Sequence, residues 1–64
     1  MSLIPVSSTA IRAIGYERGV LGVLFHTSST VYRHPGVPYS LFVEFMDATS
    51  KGTFYKERIW GNYK

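Results

Sequence analysis

The 64 residues allow one small core and exclude a multidomain machine or a deep catalytic cleft. Cysteine is absent, which excludes disulfides, thiolate zinc sites and cysteine nucleophiles and leaves the aromatic residues, 16% of the chain, to supply core area. The formal charge of +3 gathers toward the end, where Lys51, Lys56, Arg58 and Lys64 stand against one acid, Glu57; such an imbalance favours polyanionic partners and equally serves plain solubility.

Leu3-Ile4-Pro5-Val6 is apolar but broken by proline, which suits an edge or an extended lead-in rather than a central strand. Ser7-Ser8-Thr9 is a polar turn. Ala10 to Tyr16 reads as a first strand, with Ala10, Ile14 and Tyr16 on one side and Ile11, Ala13 and Gly15 on the other. Glu17-Arg18-Gly19 is a turn in which glycine takes positive φ at little cost. Val20 to His26 alternates Leu21, Val23 and Phe25 against Gly22, Leu24 and His26, a second strand. A short polar connection leads to a third, Thr30 to His34, paired antiparallel to the second.

Pro35-Gly36 stops the sheet, and Pro38 suits a first helical turn. Leu41, Phe42, Phe45, Ala48 and Thr49 recur at helical spacing, with Ser40, Glu44 and Asp47 toward water. Leu41 to Phe45 also scores as a strand; Pro38 and the pair Leu41 and Phe45 favour the helix. Thr49-Ser50-Lys51-Gly52 then breaks this helix and caps another, roughly Thr53 to Trp60, with Tyr55 and Ile59 inward and Gly61-Asn62 as its end. The expected fold is α+β: a three-stranded antiparallel β-meander followed by two short helices packed on one face of the sheet, with residues 1–64 as one domain. No apolar run approaches the roughly 20 residues of a membrane helix, and Met1-Ser2-Leu3-Ile4-Pro5 lacks the features of a signal peptide; a soluble, cytoplasmic protein without a membrane partner is expected.

Val6-Ser7-Ser8, Ile14-Gly15-Tyr16, Leu21 with Val23 and Phe25, Tyr32-Arg33-His34, Gly36-Val37-Pro38 and Ala48-Thr49-Ser50-Lys51-Gly52 occur in the order and spacing of the KTSC domain family, which the chain resembles along essentially its whole length. That family takes its name from a C-terminal extension on some lysyl-tRNA synthetases and occurs as stand-alone small proteins in bacteria and phages. The resemblance implies RNA binding only through that attachment. The family's central Tyr-x-Tyr falls on Tyr32 and position 34, which is His34 here, and Ser28-Ser29 stands where the family's turn has glycine.

Several residues carry candidate chemistry. Tyr32 and His34 share a strand face: on an open face they form a platform for stacking unpaired bases, and under the helices they are core. Arg33 on the opposite face is a phosphate contact or a solvated charge. Ser50, Lys51 and Gly52 combine helix-start N–H groups with a lysine and fit an anion, or else a plain cap and a tight turn. Trp60 is core or an exposed anchor. His26 and His34 make no zinc set, no nucleophile stands at a telling distance from a base, and neither cofactor nor enzymatic activity is expected. The leading expectation is a non-enzymatic module binding RNA or another polyanion through Lys51, Lys56, Arg58 and Arg33. The alternative is a protein-interaction or homo-oligomeric accessory protein, phage-encoded like stand-alone members of the family.

Overall fold

The structure, a computed structural model, describes Met1–Tyr63. Strands β1 (Leu3–Pro5), β2 (Ile11–Glu17), β3 (Val20–Phe25) and β4 (Val31–Pro35) form one antiparallel sheet in the order β1-β2-β3-β4. Helix α1 (Tyr39–Asp47) and the short α2 (Lys51–Phe54) follow, and α2 runs directly into one π-helical turn, Tyr55–Ile59.

The sheet therefore has four strands, not the expected three. Of the two readings open to Leu3–Pro5, an edge or an extended lead-in, the structure takes the edge: β1 pairs only with β2, in the register Leu3↔Gly15, Ile4↔Ile14, Pro5↔Ala13. An edge strand needs ladder partners on one side only, so the missing proline N–H leaves no gap in the sheet.

Local chemistry sets the other boundaries. Arg18 (φ 52°) and Gly19 (φ 79°) both adopt left-handed geometry between β2 and β3, the two-residue turn whose twist suits a hairpin. Pro38 precedes α1 instead of lying inside it: extended at φ −70° and ψ 149°, it caps the helix, and its carbonyl accepts from the Leu41 and Phe42 amides. Ser50 caps α2 by accepting from the Thr53 amide, so the second helix begins at Lys51, two residues before its expected start.

Which face meets the helices is decided by an irregularity in β2. Ile11 pairs with Phe25, but Ala13 pairs with Leu24, so one extra residue sits between them in β2. Strict alternation separated Ile11 from Ile14 and Tyr16. The extra residue turns Ile11 onto their side, where Leu21 and Val23 also lie. Leu41 and Phe45 of α1, with Tyr55 and Ile59 of the π turn, close over this face, and Phe45, Ile11, Ile14, Leu21, Val23 and Ile59 are at most marginally accessible. Tyr16 ties the sheet to the lead into α1 by donating its hydroxyl to the Val37 carbonyl at 2.6 Å, and the Val37 amide donates to Gly19 at 3.0 Å.

The other face carries Gly15 opposite Gly22, and the side chains of Met1 and Leu3 lie over these two glycines. A Cβ on Gly15 would stand 2.6 Å from the Ser2 carbonyl oxygen, a backbone atom with no rotamer to yield. Gly15→Ala should accordingly lower stability by about 1–3 kcal/mol in urea denaturation, with β1 amides losing hydrogen-exchange protection before those of β3.

Candidate functional site

The aromatic side chains converge where β4 meets the end of the chain. Tyr32 and His34 pair across the ladder with Val23 and Leu21, so both point to the helix-covered side of the sheet. Their positions along β4 separate them. His34 is 5% exposed under the π turn, whereas Tyr32, nearer the start of the strand, is 45% exposed. Tyr55 is the hub: its ring meets Phe25 edge-on at 5.2 Å and His34 at 5.4 Å, and stands 6.4 Å from Trp60, while Phe25 also meets Tyr32 at 5.5 Å.

The π turn controls where Trp60 goes. Its amide donates to the Tyr55 carbonyl five residues back at 2.8 Å, and there the helix ends. Gly61, at φ 85°, reverses the chain, and the Asn62 and Tyr63 amides both donate to the Ile59 carbonyl. Trp60, Gly61 and Tyr63 thus form one wall of a hollow of about 500 Å³, and Val31, Tyr32, Arg33 and His34 of β4 form the other. Trp60, at 65% exposure, and Tyr32 stand at its rim.

The polar contacts behind this hollow are closed. A carbonyl only accepts, so His34 Nδ1 carries the proton and donates to the Tyr63 carbonyl at 2.9 Å. In the neutral ring Nε2 is then free to accept, and the Tyr55 hydroxyl donates to it at 2.8 Å. Histidine at position 34 serves two partners with two nitrogens.

The structure brings together Tyr32, His34 and Trp60, with Arg33 between the two β4 residues but its side chain on the opposite sheet face, and it separates all four from Lys51. Lys51 lines a polar groove of about 620 Å³ between Ser7–Ala10 and Thr49–Thr53, and its Nζ donates to the Ala48 carbonyl at 3.0 Å. The Ser50 hydroxyl accepts from the Thr53 amide and donates to the Thr53 hydroxyl, and Gly52 packs against Ala10. Lys56 and Arg58 lie exposed on the π turn; Arg58 pairs with Glu44 at 3.6 Å and sits 5.2 Å over the Phe54 ring. Lys64 lies outside the described residues. Residue patterns missed Tyr63 and Gly61 as hollow-forming residues and Ser7 and Ser8 as groove-forming ones. A glycine just beyond a helix, followed by tyrosine, was the available signal for the first pair.

Among the described residues no group of three or more His, Cys, Asp or Glu side chains is placed to hold a metal, and no helix is long and apolar enough to cross a membrane. A small antiparallel sheet with helices on one face and an aromatic hollow at its edge defines a compact α+β module. The chain belongs to the KTSC domain family, whose model matches residues 7–63. It is similar to a KTSC domain protein from Yersinia pestis known from a crystal structure, with 35% identity and a TM-score of 0.90 over 98% of this chain and 90% of that one. A search of curated proteins finds no match.

Burial, and secondarily the nearby Tyr32 phenol, push the Tyr55 hydroxyl above its ordinary range of ionisation. The folded chain holds this proton more tightly than the unfolded one. Its contribution is therefore complete below the ordinary tyrosine range and is lost as the pH rises through that range toward the raised value. Denaturation midpoints should fall between pH about 9 and about 11 in the wild type. The fall should be shallower in Tyr55→Phe, which at neutral pH is less stable by about 1–3 kcal/mol because His34 Nε2 loses its donor.

Proposed function

We propose that this chain is a binding module for single-stranded RNA or a chemically similar polyanion, taking an unpaired base at the Tyr32–Trp60 rim. The observation that supports it best is the hollow itself: exposed aromatic rings on two separate elements, over a buried His34 whose two ring nitrogens are already bonded. Such a surface offers stacking to any base, which predicts sequence-tolerant recognition. Arg33 pairs with Gly22, which puts its side chain on the sheet face opposite Tyr32 and His34, where it would take a phosphate of a strand passing over the β4 edge, and Lys56 and Arg58 supply further positive charge from the π turn. Lys51, with Ser50 and Gly52, belongs to the separate groove and serves as an additional phosphate contact.

A second reading has its own observation. On α1, Tyr39, Phe42, Val43 and Met46 follow at helical spacing beside the core stripe of Leu41 and Phe45, and Tyr39 and Val43 are 63% and 47% exposed. This stripe fits a protein partner or a second copy. A molecular mass that rises with concentration in light scattering, and returns to monomer in Val43→Lys, would favour that reading.

The direct test is titration of fluorescein-labelled oligouridylate, followed by anisotropy at several salt concentrations. Trp60→Ala and Tyr32→Ala should each cost about 1–3 kcal/mol of binding. The paired variant Lys56→Ala, Arg58→Ala should leave stacking intact and flatten the dependence of log K on log salt. Absence of wild-type binding at low salt would retire the nucleic-acid reading.

A further inference from the structure

We propose that His34 is a positioning residue for the hollow, acting through the tail and not by touching the ligand. This rests on the reading of the hollow as a binding site. His34 is the buried polar side chain that joins the two walls: it belongs to β4, and its Nδ1–H holds the carbonyl of Tyr63 on the opposite wall. The rest of that wall is a chain reversal at Gly61, in left-handed geometry, held by the Asn62 and Tyr63 amides on the Ile59 carbonyl. Those bonds fix the tail to the π turn. The bond from His34 fixes it to the sheet, and so sets the distance between Trp60 and Tyr32.

The two ring nitrogens have separable jobs. The Nε2 bond to Tyr55 lies within the packed aromatic cluster and supports stability, while the Nδ1 bond to Tyr63 sets the width of the hollow. Asparagine places its amide N–H near the Nδ1 position and glutamine reaches the Nε2 position, so His34→Asn and His34→Gln each remove one bond and keep the other. A residue needed only for stability would make affinity follow stability in both.

The experiment compares these two variants in their folded state, using heteronuclear NOE values of Gly61, Asn62 and Tyr63 in the free protein and oligouridylate affinity by anisotropy. We expect His34→Asn, which gives up the Nε2 bond, to lose more stability than His34→Gln. His34→Asn should keep a rigid tail and wild-type affinity to within about twofold, whereas His34→Gln should show a mobile tail and an affinity lower by about tenfold. Gly61→Ala leaves His34 in place, and its added Cβ meets no atom within 4 Å. It should loosen the same wall by backbone strain and reproduce the His34→Gln phenotype, which keeps the test intact if either His34 variant fails to fold. Equal tail rigidity in His34→Gln and His34→Asn, or a tail in Gly61→Ala as rigid as in the wild type, would overturn the proposal. The NOE values decide this whether or not RNA binds. A wild type that binds no oligouridylate, with the expected tail behaviour in the variants, would remove the RNA reading and leave His34 as the residue that sets the hollow.

Discussion

One extra residue in β2, between Ile11 and Ala13, determines which side chains the sheet presents to its helices. Without it Ile11 would lie on the face of Gly15 and Gly22, and a core this small would lose one of its fully buried aliphatic side chains. With it, Ile11, Ile14 and Tyr16 line up with Leu21, Val23 and Phe25, and one continuous apolar surface becomes available to Leu41, Phe45, Tyr55 and Ile59. The position of Tyr55 follows, since its ring enters between Phe25, His34 and Phe45. The hollow on β4 is thus built on a register decision made two strands away, in β2.

Much of the fold was legible because local chemistry and the tertiary result agree. The glycine turn after β2, the inward pair Leu41 and Phe45, the serine cap and the inward pair Tyr55 and Ile59 all follow from spacing and residue type. The features that escaped depend on information outside any short window. Proline in β1 excludes a central strand and leaves an edge and an extended lead-in open, a choice that only the sheet order makes. A bulge shifts the period of two by one residue without any composition signal, so the grouping of Ala10, Ile14 and Tyr16 against Ile11, Ala13 and Gly15 did not hold.

The candidate site was legible in residue type and less so in arrangement. Tyr32, Arg33, His34 and Trp60 meet at one hollow although Trp60 is far from the others in sequence. The two fates considered for the aromatic pair on β4 are divided between them: His34 is buried and Tyr32 is half exposed, a difference that alternation cannot express because both lie on one face. The motifs that mark the family also meet in space. Tyr16 bonds to Val37, and Ser7-Ser8 faces Ser50-Lys51-Gly52 across a groove. Family membership here records a set of mutual contacts, and the chemistry at the hollow is carried partly by residues outside those motifs, Trp60 and Tyr63.

The π turn gives the chain an unusual sensitivity to length. A π turn holds one residue more than the α-helical turn it replaces, and each α-helical residue advances the chain by about 100°. Loss of a single residue between Tyr55 and Ile59 would allow an ordinary helix to form there, with the local hydrogen bonds satisfied and the indole swung to another side of the molecule. Substitutions in this segment adjust the hollow by degrees, but a one-codon deletion would abolish it while sparing the helix. The register of this one turn is therefore a place where the hollow can be gained or lost in a single genetic step.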